Sequence, residues 1–302
     1  MVSCEQTAVV RRFNRSYTQR IGALEDSFLG LGLPLAVARV GFEIGVEPGT
    51  VQALRARLGL DSGQLSRILR RLERDEIVRV EPDPTDRRRR LVELTAAGRR
   101  WWDDLDRRSR ERAEALLAPL TERQRVRLGN ALREADLLVR ASTVSLEAVD
   151  PASPEARATV AAYVAEMDAR FDIGFDPGPI DADDDSLRPP DGVFVVARSD
   201  GAAVAGGGCR TFAGAAEIKR MWVDGSWRGA GQGARLLRRL EQEAIRLGHD
   251  VVRLDTRAVL TEAIALYERA GYHRIERYND NPYATHFFAK DLRPGVPSRP
   301  ID

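Results

Sequence analysis

Val223-Asp224-Gly225-Ser226-Trp227-Arg228-Gly229-Ala230-Gly231-Gln232-Gly233-Ala234 is the stretch from which the second half of this chain is read. Residues 218–223 ahead of it read as a strand. Residues 234–247 behind it carry the apolar periodicity of an amphipathic helix. A glycine-rich turn between strand and helix leaves several N–H groups unpaired and aimed at one point, where the helix dipole adds positive potential. That is a cradle for an anionic diphosphate. Gly231 and Gly233 let the anion approach with no Cβ in the way. No Gly-Lys-Ser/Thr closes the loop, so it is not of the Walker type. No βαβ unit with a ribose-binding acid follows, which argues against a dinucleotide site.

A chain of 302 residues suits two cores better than one. No uninterrupted apolar run approaches the ~18 residues of a spanning helix, and no basic flank precedes an apolar stretch at the N-terminus. Neither a membrane partner nor secretion is expected, and the cytoplasm is the expected compartment. Two distant cysteines, Cys4 and Cys209, fit a reducing environment, and with three histidines no metal site is expected. The net charge of +1 hides an asymmetry. Residues 1–145 hold 27 Arg against 21 Asp and Glu, a net of +6, and residues 146–302 carry a net of −5. A basic half is what a nucleic-acid binder presents.

In the basic half, helices are expected over residues 4–28, 34–42 and 50–58, with Gly59 ending the third. Asp61-Ser62 caps a fourth that places Leu65, Ile68, Leu69 and Leu72 on one face. A short helix, a tight turn and a capped helix make a helix-turn-helix. Its second helix offers Ser62, Gln64, Ser66, Arg67, Arg70 and Arg71 opposite the apolar face, side chains suited to base edges and phosphates. Residues 77–81 and 87–95 alternate around Pro82-Asp83-Pro84-Thr85-Asp86, the pattern of a β-hairpin with Arg87, Arg88, Arg89 and Arg90 near its tip. A charge run on a hairpin is commonly a solvated face. After a capped helix-turn-helix it reads instead as a wing that enters a minor groove. Residues 96–141 form long helices interrupted at Pro119, with leucine stripes.

Leu65-Ser66-Arg67, Asp83-Pro84-x-Asp86-Arg87-Arg88 and Val92-x-Leu94-Thr95 together resemble the MarR family of winged-helix regulators. The resemblance implies double-stranded operator DNA as a partner, an aspartate (Asp86) bracing the wing arginine (Arg88), and homodimerisation through the N-terminal and post-wing helices. The family ends its recognition helix with Gly. Here Glu76 stands there, so this corner is expected to depart from the family shape.

In the acidic half, 143–149 alternate like a strand with almost no linker before them, and Ser153-Pro154 opens a helix through 170. Residues 172–192 read as an acidic loop over the site. Strands follow at 193–198, 202–211, 217–223, 250–256, 272–278 and 285–292. Arg228-x-x-Gly231-x-Gly233, the helix through Leu236-Leu237-Arg238-Arg239-Leu240-Glu241, and Leu266-Tyr267-Glu268 with Gly271-Tyr272 resemble the GNAT family of N-acetyltransferases over about half the chain. The fold class implied is α+β in two domains. Residues 1–142 would form a mostly α winged helix-turn-helix with long dimerisation helices. Residues 143–302 would form an α/β acyltransferase fold with a mixed, mostly antiparallel sheet.

The GNAT resemblance implies acetyl-CoA as cosubstrate and a small amine or amino acid as acceptor. Main-chain groups of Met221, Trp222 and Val223 would hold the pantetheine arm. Arg228, Gly229, Ala230, Gly231, Gln232, Gly233 and Ala234 would hold the diphosphate. Tyr267 matches the family tyrosine that protonates the departing thiolate, and its other reading is a packed helix aromatic. Glu217 is either a base or a carboxylate for the substrate ammonium. Arg220 would pair with a substrate carboxylate. Asn279, Asn281 and Tyr283, in a polar-aromatic loop, would contact the acceptor, though an Asn- and Pro-stabilised turn explains that loop as well. The family's asparagine seven residues before the tyrosine is Leu260 here. Three functions stay open: a DNA-binding regulator that is also an acetyltransferase, a regulator whose GNAT half senses acetyl-CoA or an amine without turnover, and an acetyltransferase whose basic half only dimerises it.

Overall fold

The computed structural model describes residues 3–177, 185–199 and 201–293. The chain divides into two compact units, residues 1–132 and 133–302, and the division falls inside a helix. No helix of the described residues is long and apolar enough to cross a membrane.

The first unit runs α1 (Cys4–Arg20), α2 (Leu35–Val46), β1 (Gly49–Thr50), α3 (Val51–Leu58), α4 (Ser62–Arg74), β2 (Val78–Pro82), β3 (Arg90–Leu94), α5 (Ala96–Leu117) and α6 (Glu122–Thr143), the last crossing into the second unit. α1 stops short of the expected Phe28 because Gly22 takes a φ of +74° and the chain turns, the Phe28 N–H returning to the Leu33 carbonyl at 2.8 Å. Thr50 caps α3, and Gly59 ends it at φ +61°. Asp61 caps α4 by accepting the Gln64 N–H at 2.8 Å. Leu65, Ile68, Leu69 and Leu72 of α4 pack with Val40, Ile44, Leu54 and Val92 in one core. After α4, Glu76 adopts φ +56°, and the Ile77 N–H reaches back to the Leu72 carbonyl at 2.9 Å. The corner therefore has the left-handed residue that glycine would supply, contrary to the expected departure. β2 and β3 pair antiparallel, and β1 extends the hairpin to a three-stranded sheet ordered β1-β3-β2. β1 is two residues long, too short to register as alternation.

The second unit continues with β4 (Ser145–Val149), α7 (Pro154–Arg170), β5 (Gly192–Ser199), β6 (Ala202–Phe212), β7 (Ala215–Val223), α8 (Gln232–Arg246), β8 (Val251–Thr256), α9 (Thr261–Arg269), β9 (His273–Ile275) and β10 (His286–Asp291). Its sheet is ordered β4-β5-β6-β7-β8-β10-β9, and only β7 and β8 pair in parallel. The apolar face of α8 (Leu236, Leu237, Leu240, Ala244) seals against Val195, Ala205, Val252, Leu254 and Phe288. Residues 178–184 of the expected loop over 172–192 lie outside the described residues, as does Asp200.

One irregularity positions the site. The β6–β7 register slips between Gly206 and Gly208, opposite Arg220, which sits at φ +53°. A bulge of this kind bends and overtwists its strand. Glycine at 207 permits it, since a Cβ there would lie 3.1 Å from the Met221 Cα. β7 and β8 pair only from Ala216 to Ile218 and from Val252 to Leu254. Beyond those residues the two parallel strands part, and the edge of β7 facing β8 opens.

Candidate active site

Two cavities lie along that opened edge. One, of about 590 Å³, is lined by Trp222, Val223, Arg228, Gly229, Gly231, Gln232, Gly233 and Ala234, with Glu166 facing them. The other, of about 530 Å³, is lined by Tyr163, Phe171, Phe175, Arg220, Asp255, Arg257, Asn281 and Tyr283. Both include Met167, Met221, Leu260, Ala263 and Tyr267 in their walls. The two cavities therefore meet at Tyr267.

The glycine loop builds the first cavity as its residue types dictate. Asp224 caps the turn 225–227 by accepting the Ser226 N–H at 2.9 Å, and Trp227 is buried, with the Arg140 guanidinium 4.6 Å over its ring. Gly229 and Gly231 take φ +84° and +75°, and a Cβ on either would project into open space. Gly231 caps α8, whose first intrahelical bond is the Arg235 N–H to the Gly231 carbonyl at 3.1 Å. The N–H groups of Gln232, Gly233 and Ala234 thus belong to the unpaired first turn. The Ala230 N–H is turned inward to the Trp227 carbonyl at 3.4 Å, so Ala230 is the one residue of the expected diphosphate set absent from the cavity wall. The Gln232 side chain is buried and donates to the Ala141 carbonyl at 3.3 Å, which leaves only its main chain for a ligand. The cradle fits a diphosphate in charge and in shape.

Arg228 is held by a carboxylate that the sequence did not reveal. Its guanidinium donates to Glu166 on α7 and, at 3.3 Å, to the Val223 carbonyl. Glu166 also accepts from Arg170 at 3.1 Å and from the Trp222 indole at 3.0 Å. Sixty-two positions separate Glu166 from Arg228, so no local pattern announces the pair.

Tyr267 is buried on α9, its ring 5.9 Å from those of Tyr272 and Phe288. Burial, with smaller contributions from Tyr163 and Asp255, pushes its hydroxyl above the ordinary 10, so it remains a protonated donor. Leu260 stands at the start of α9 between the two cavities.

The expected acceptor residues divide. Arg220, Asn281 and Tyr283 line the second cavity. Glu217 and Asn279 do not. Glu217 is 1% exposed and is neither a surface carboxylate nor part of a cavity wall. Its oxygens take the Arg210 guanidinium at 2.8 Å, the Tyr278 hydroxyl at 3.0 Å and the Asn279 amide at 3.0 Å. Asn279 also donates to Asp255 at 2.6 Å. A buried carboxylate demands such partners, and satisfying them turns Glu217 away from the cavity. The buried-side acid at that wall, which Asp176 also lines, is Asp255, fixed by Asn279, Asn281 at 2.8 Å and Lys219 at 3.2 Å. Its sequence signal is an Asp near the end of the strand Val-Val-Arg-Leu-Asp-Thr.

In the first unit, Ser62, Gln64, Ser66, Arg67 and Arg70 of α4 are exposed along one face. Arg71 is half-buried and turned back, donating to the Gly32 carbonyl at 3.4 Å and lying 3.7 Å from Asp75. At the wing, Arg87, Arg88 and Arg89 are exposed. Asp86 accepts the Arg88 main-chain N–H at 3.1 Å and pairs with the Arg89 guanidinium at 3.3 Å. Asp86 therefore braces the backbone of Arg88 and the charge of Arg89.

A family model for the acetyltransferase (GNAT) family matches residues 160–272, and one for the MarR family matches residues 31–89. The N-alpha-acetyltransferase RimI of Mycobacterium tuberculosis is 37% identical over 115 residues, covering 37% of this chain and 71% of that protein. The IAA acetyltransferase of Azospirillum brasilense is 39% identical over 92 residues, 29% of this chain, which spans 58% of that protein's length. Among solved structures, that of MarR is 26% identical, covers 46% of this chain and 92% of its own, and superposes with a TM-score of 0.37.

Proposed function

The chain belongs to the acetyltransferase (GNAT) family through its second half, with a MarR-family region ahead of it, and from that premise we propose that it is an acetyl-CoA-dependent N-acetyltransferase of a small amine or amino acid joined to a homodimeric operator-binding regulator. The observation that carries the enzymatic reading is the meeting of the two cavities at Tyr267. The diphosphate of the cosubstrate sits on the first-turn amides of α8 with Arg228 beside it. The pantetheine arm lies along the opened edge of β7 at Met221, Trp222 and Val223. The acyl group then ends at the shared wall.

In the reaction the acceptor nitrogen attacks the thioester carbonyl. The N–C bond forms, the C–S bond breaks, and the proton lost by the nitrogen ends on sulfur. Tyr267 is the donor to the departing thiolate, a role its elevated pKa suits because the phenol stays protonated at neutral pH. Glu217, held in its buried network, supports Asp255 from behind and is not the base that touches the amine.

The regulatory reading rests on the exposed face of α4 and the exposed wing arginines. α1 buries no residue and exposes Val9, Val10, Phe13 and Tyr17, an apolar face that supports dimerisation. Thiol release from acetyl-CoA with an amine panel tests the first reading, and calorimetry with coenzyme A tests its premise. Coenzyme A binding without thiol release from any amine favours the sensor without turnover. A gel shift with DNA from the chain's own operon, together with sedimentation, tests the rest.

A further inference from the structure

The first cavity runs on past the glycine cradle, and its outer end selects the form of the cosubstrate, on the premise that this cavity holds the cosubstrate of the proposed acetyltransferase. Five cationic side chains stand in its wall against three carboxylates, although residues 146–302 carry a net charge of −5. All three carboxylates are taken. Glu166 holds Arg228 and Arg170, Glu262 holds Arg170 at 3.0 Å, and Glu241 holds Lys290 at 2.9 Å. The other two cations, Arg238 and Arg269, are exposed and make no ion pair or side-chain hydrogen bond among the described residues.

The helices place these two arginines beside the cradle. Ala234, whose N–H belongs to the unpaired first turn of α8, lies four residues before Arg238. The two share one face of α8, about 6 Å apart along its axis. Helical side chains lean toward the N-terminus, so Arg238 reaches back toward the cradle. On the facing wall, Leu266 of α9 abuts Gly233, where a Cβ would stand 3.2 Å from the leucine Cδ2. Arg269 follows Leu266 by three residues and so lies on the same side of α9. Both guanidinium groups therefore border the cavity about one helical turn beyond the diphosphate amides.

The diphosphate is already matched by those amides and by Arg228. Two further uncompensated cations in the same cavity call for a further anion. Coenzyme A carries one, because a single ribose bears the diphosphate on its 5′ oxygen and a phosphomonoester on its 3′ oxygen. We infer that Arg238 and Arg269 bind this 3′-phosphate, and that the chain selects the 3′-phosphorylated cosubstrate over its dephospho form. A phosphomonoester is close to dianionic at neutral pH and presents three acceptor oxygens, which two guanidinium groups clamp with charge-assisted hydrogen bonds.

The test is calorimetry of the full chain with coenzyme A and with dephospho-coenzyme A at low and high salt. Coenzyme A is expected to bind at least tenfold tighter, with the margin shrinking at high salt because both arginines are exposed. Arg238→Gln and Arg269→Gln keep good helix formers at exposed positions. Each is expected to weaken coenzyme A about fivefold and to leave dephospho-coenzyme A within twofold, which also shows that the variant is folded. Arg238→Lys, which restores the charge, is expected to recover part of the loss. Equal affinity of the wild-type chain for the two ligands, or variants that weaken both alike, overturns the inference and leaves the acetyltransferase reading intact. Binding of neither ligand overturns the inference together with the reading beneath it.

Discussion

Glu166→Gln is expected to tighten coenzyme A binding, although Glu166 forms part of the cavity wall. In the wild-type chain the Glu166 carboxylate holds the Arg228 guanidinium, the side chain assigned to the diphosphate. Binding must exchange that carboxylate for phosphate, and the free energy of the ion pair is lost from the affinity. Glu166 is 20% exposed and Arg228 41%, so solvent screens the pair and the exposed-pair range of about 0.2–1 kcal/mol applies. At about 1.4 kcal/mol per tenfold, removing the competitor tightens binding by about 1.4-fold to fivefold. Glutamine preserves an acceptor for the Trp222 indole, and Arg170 keeps its pairing with Glu262, so the wall stays intact. Calorimetry with coenzyme A and with pantetheine, at low and high salt, reads the effect. Coenzyme A should gain, more at low salt, while pantetheine, which has no diphosphate, should not. An equal gain for pantetheine, or weaker coenzyme A binding, would refute the assignment of Arg228 to the diphosphate.

Tyr267→Phe should lower kcat by about 10²–10⁴ with coenzyme A affinity within twofold, measured by steady-state kinetics and calorimetry. Glu76→Gly should raise stability by about 0.5–1 kcal/mol in urea denaturation, because glycine meets φ +56° without a Cβ penalty and loses part of the gain to its freer unfolded chain. Arg88→Ala should weaken operator binding and reduce the slope of log affinity against log salt by about 1, read by gel shift across a salt series; an unchanged slope excludes a phosphate contact. Burial raises the pKa of four of the six tyrosines, Tyr163, Tyr267, Tyr272 and Tyr278, above their unfolded value of 10. A raised folded-state pKa gives stability that is complete below pH 10 and lost as pH rises above it. Melting temperature should therefore fall steeply above pH 10, with phenolate absorbance from these residues appearing together with unfolding and not ahead of it.

The caps and breakers were legible because each acts within four residues: Asp61 on Gln64, Gly59 after α3, Ser153 before Pro154, Gly231 before α8. The polar faces of α4 and the wing were legible for the same reason, since helical and strand periods fix which side chains share a surface. Arg71 sits on the expected polar face, but its bond to the Gly32 carbonyl, 39 residues away, lies outside any local pattern. Asp86 likewise showed its place in the turn but not which arginine its second oxygen would take.

Sequence alone placed most of the elements in order and located the glycine-rich turn before α8, because these depend on backbone freedom and on spacing along one helix or one turn. Only the tertiary structure decided which carboxylates face a cavity. Glu217 and Asp255 lie 38 positions apart on neighbouring parallel strands, and β7 parts from β8 just beyond the paired residues. Glu217 lies within the paired stretch and inside a satisfied buried network, whereas Asp255 lies just beyond it and lines the cavity wall. A strand's alternation assigns a side chain to a face of the sheet, but whether that face is packed or open depends on where the neighbouring strand lies, which no local pattern encodes.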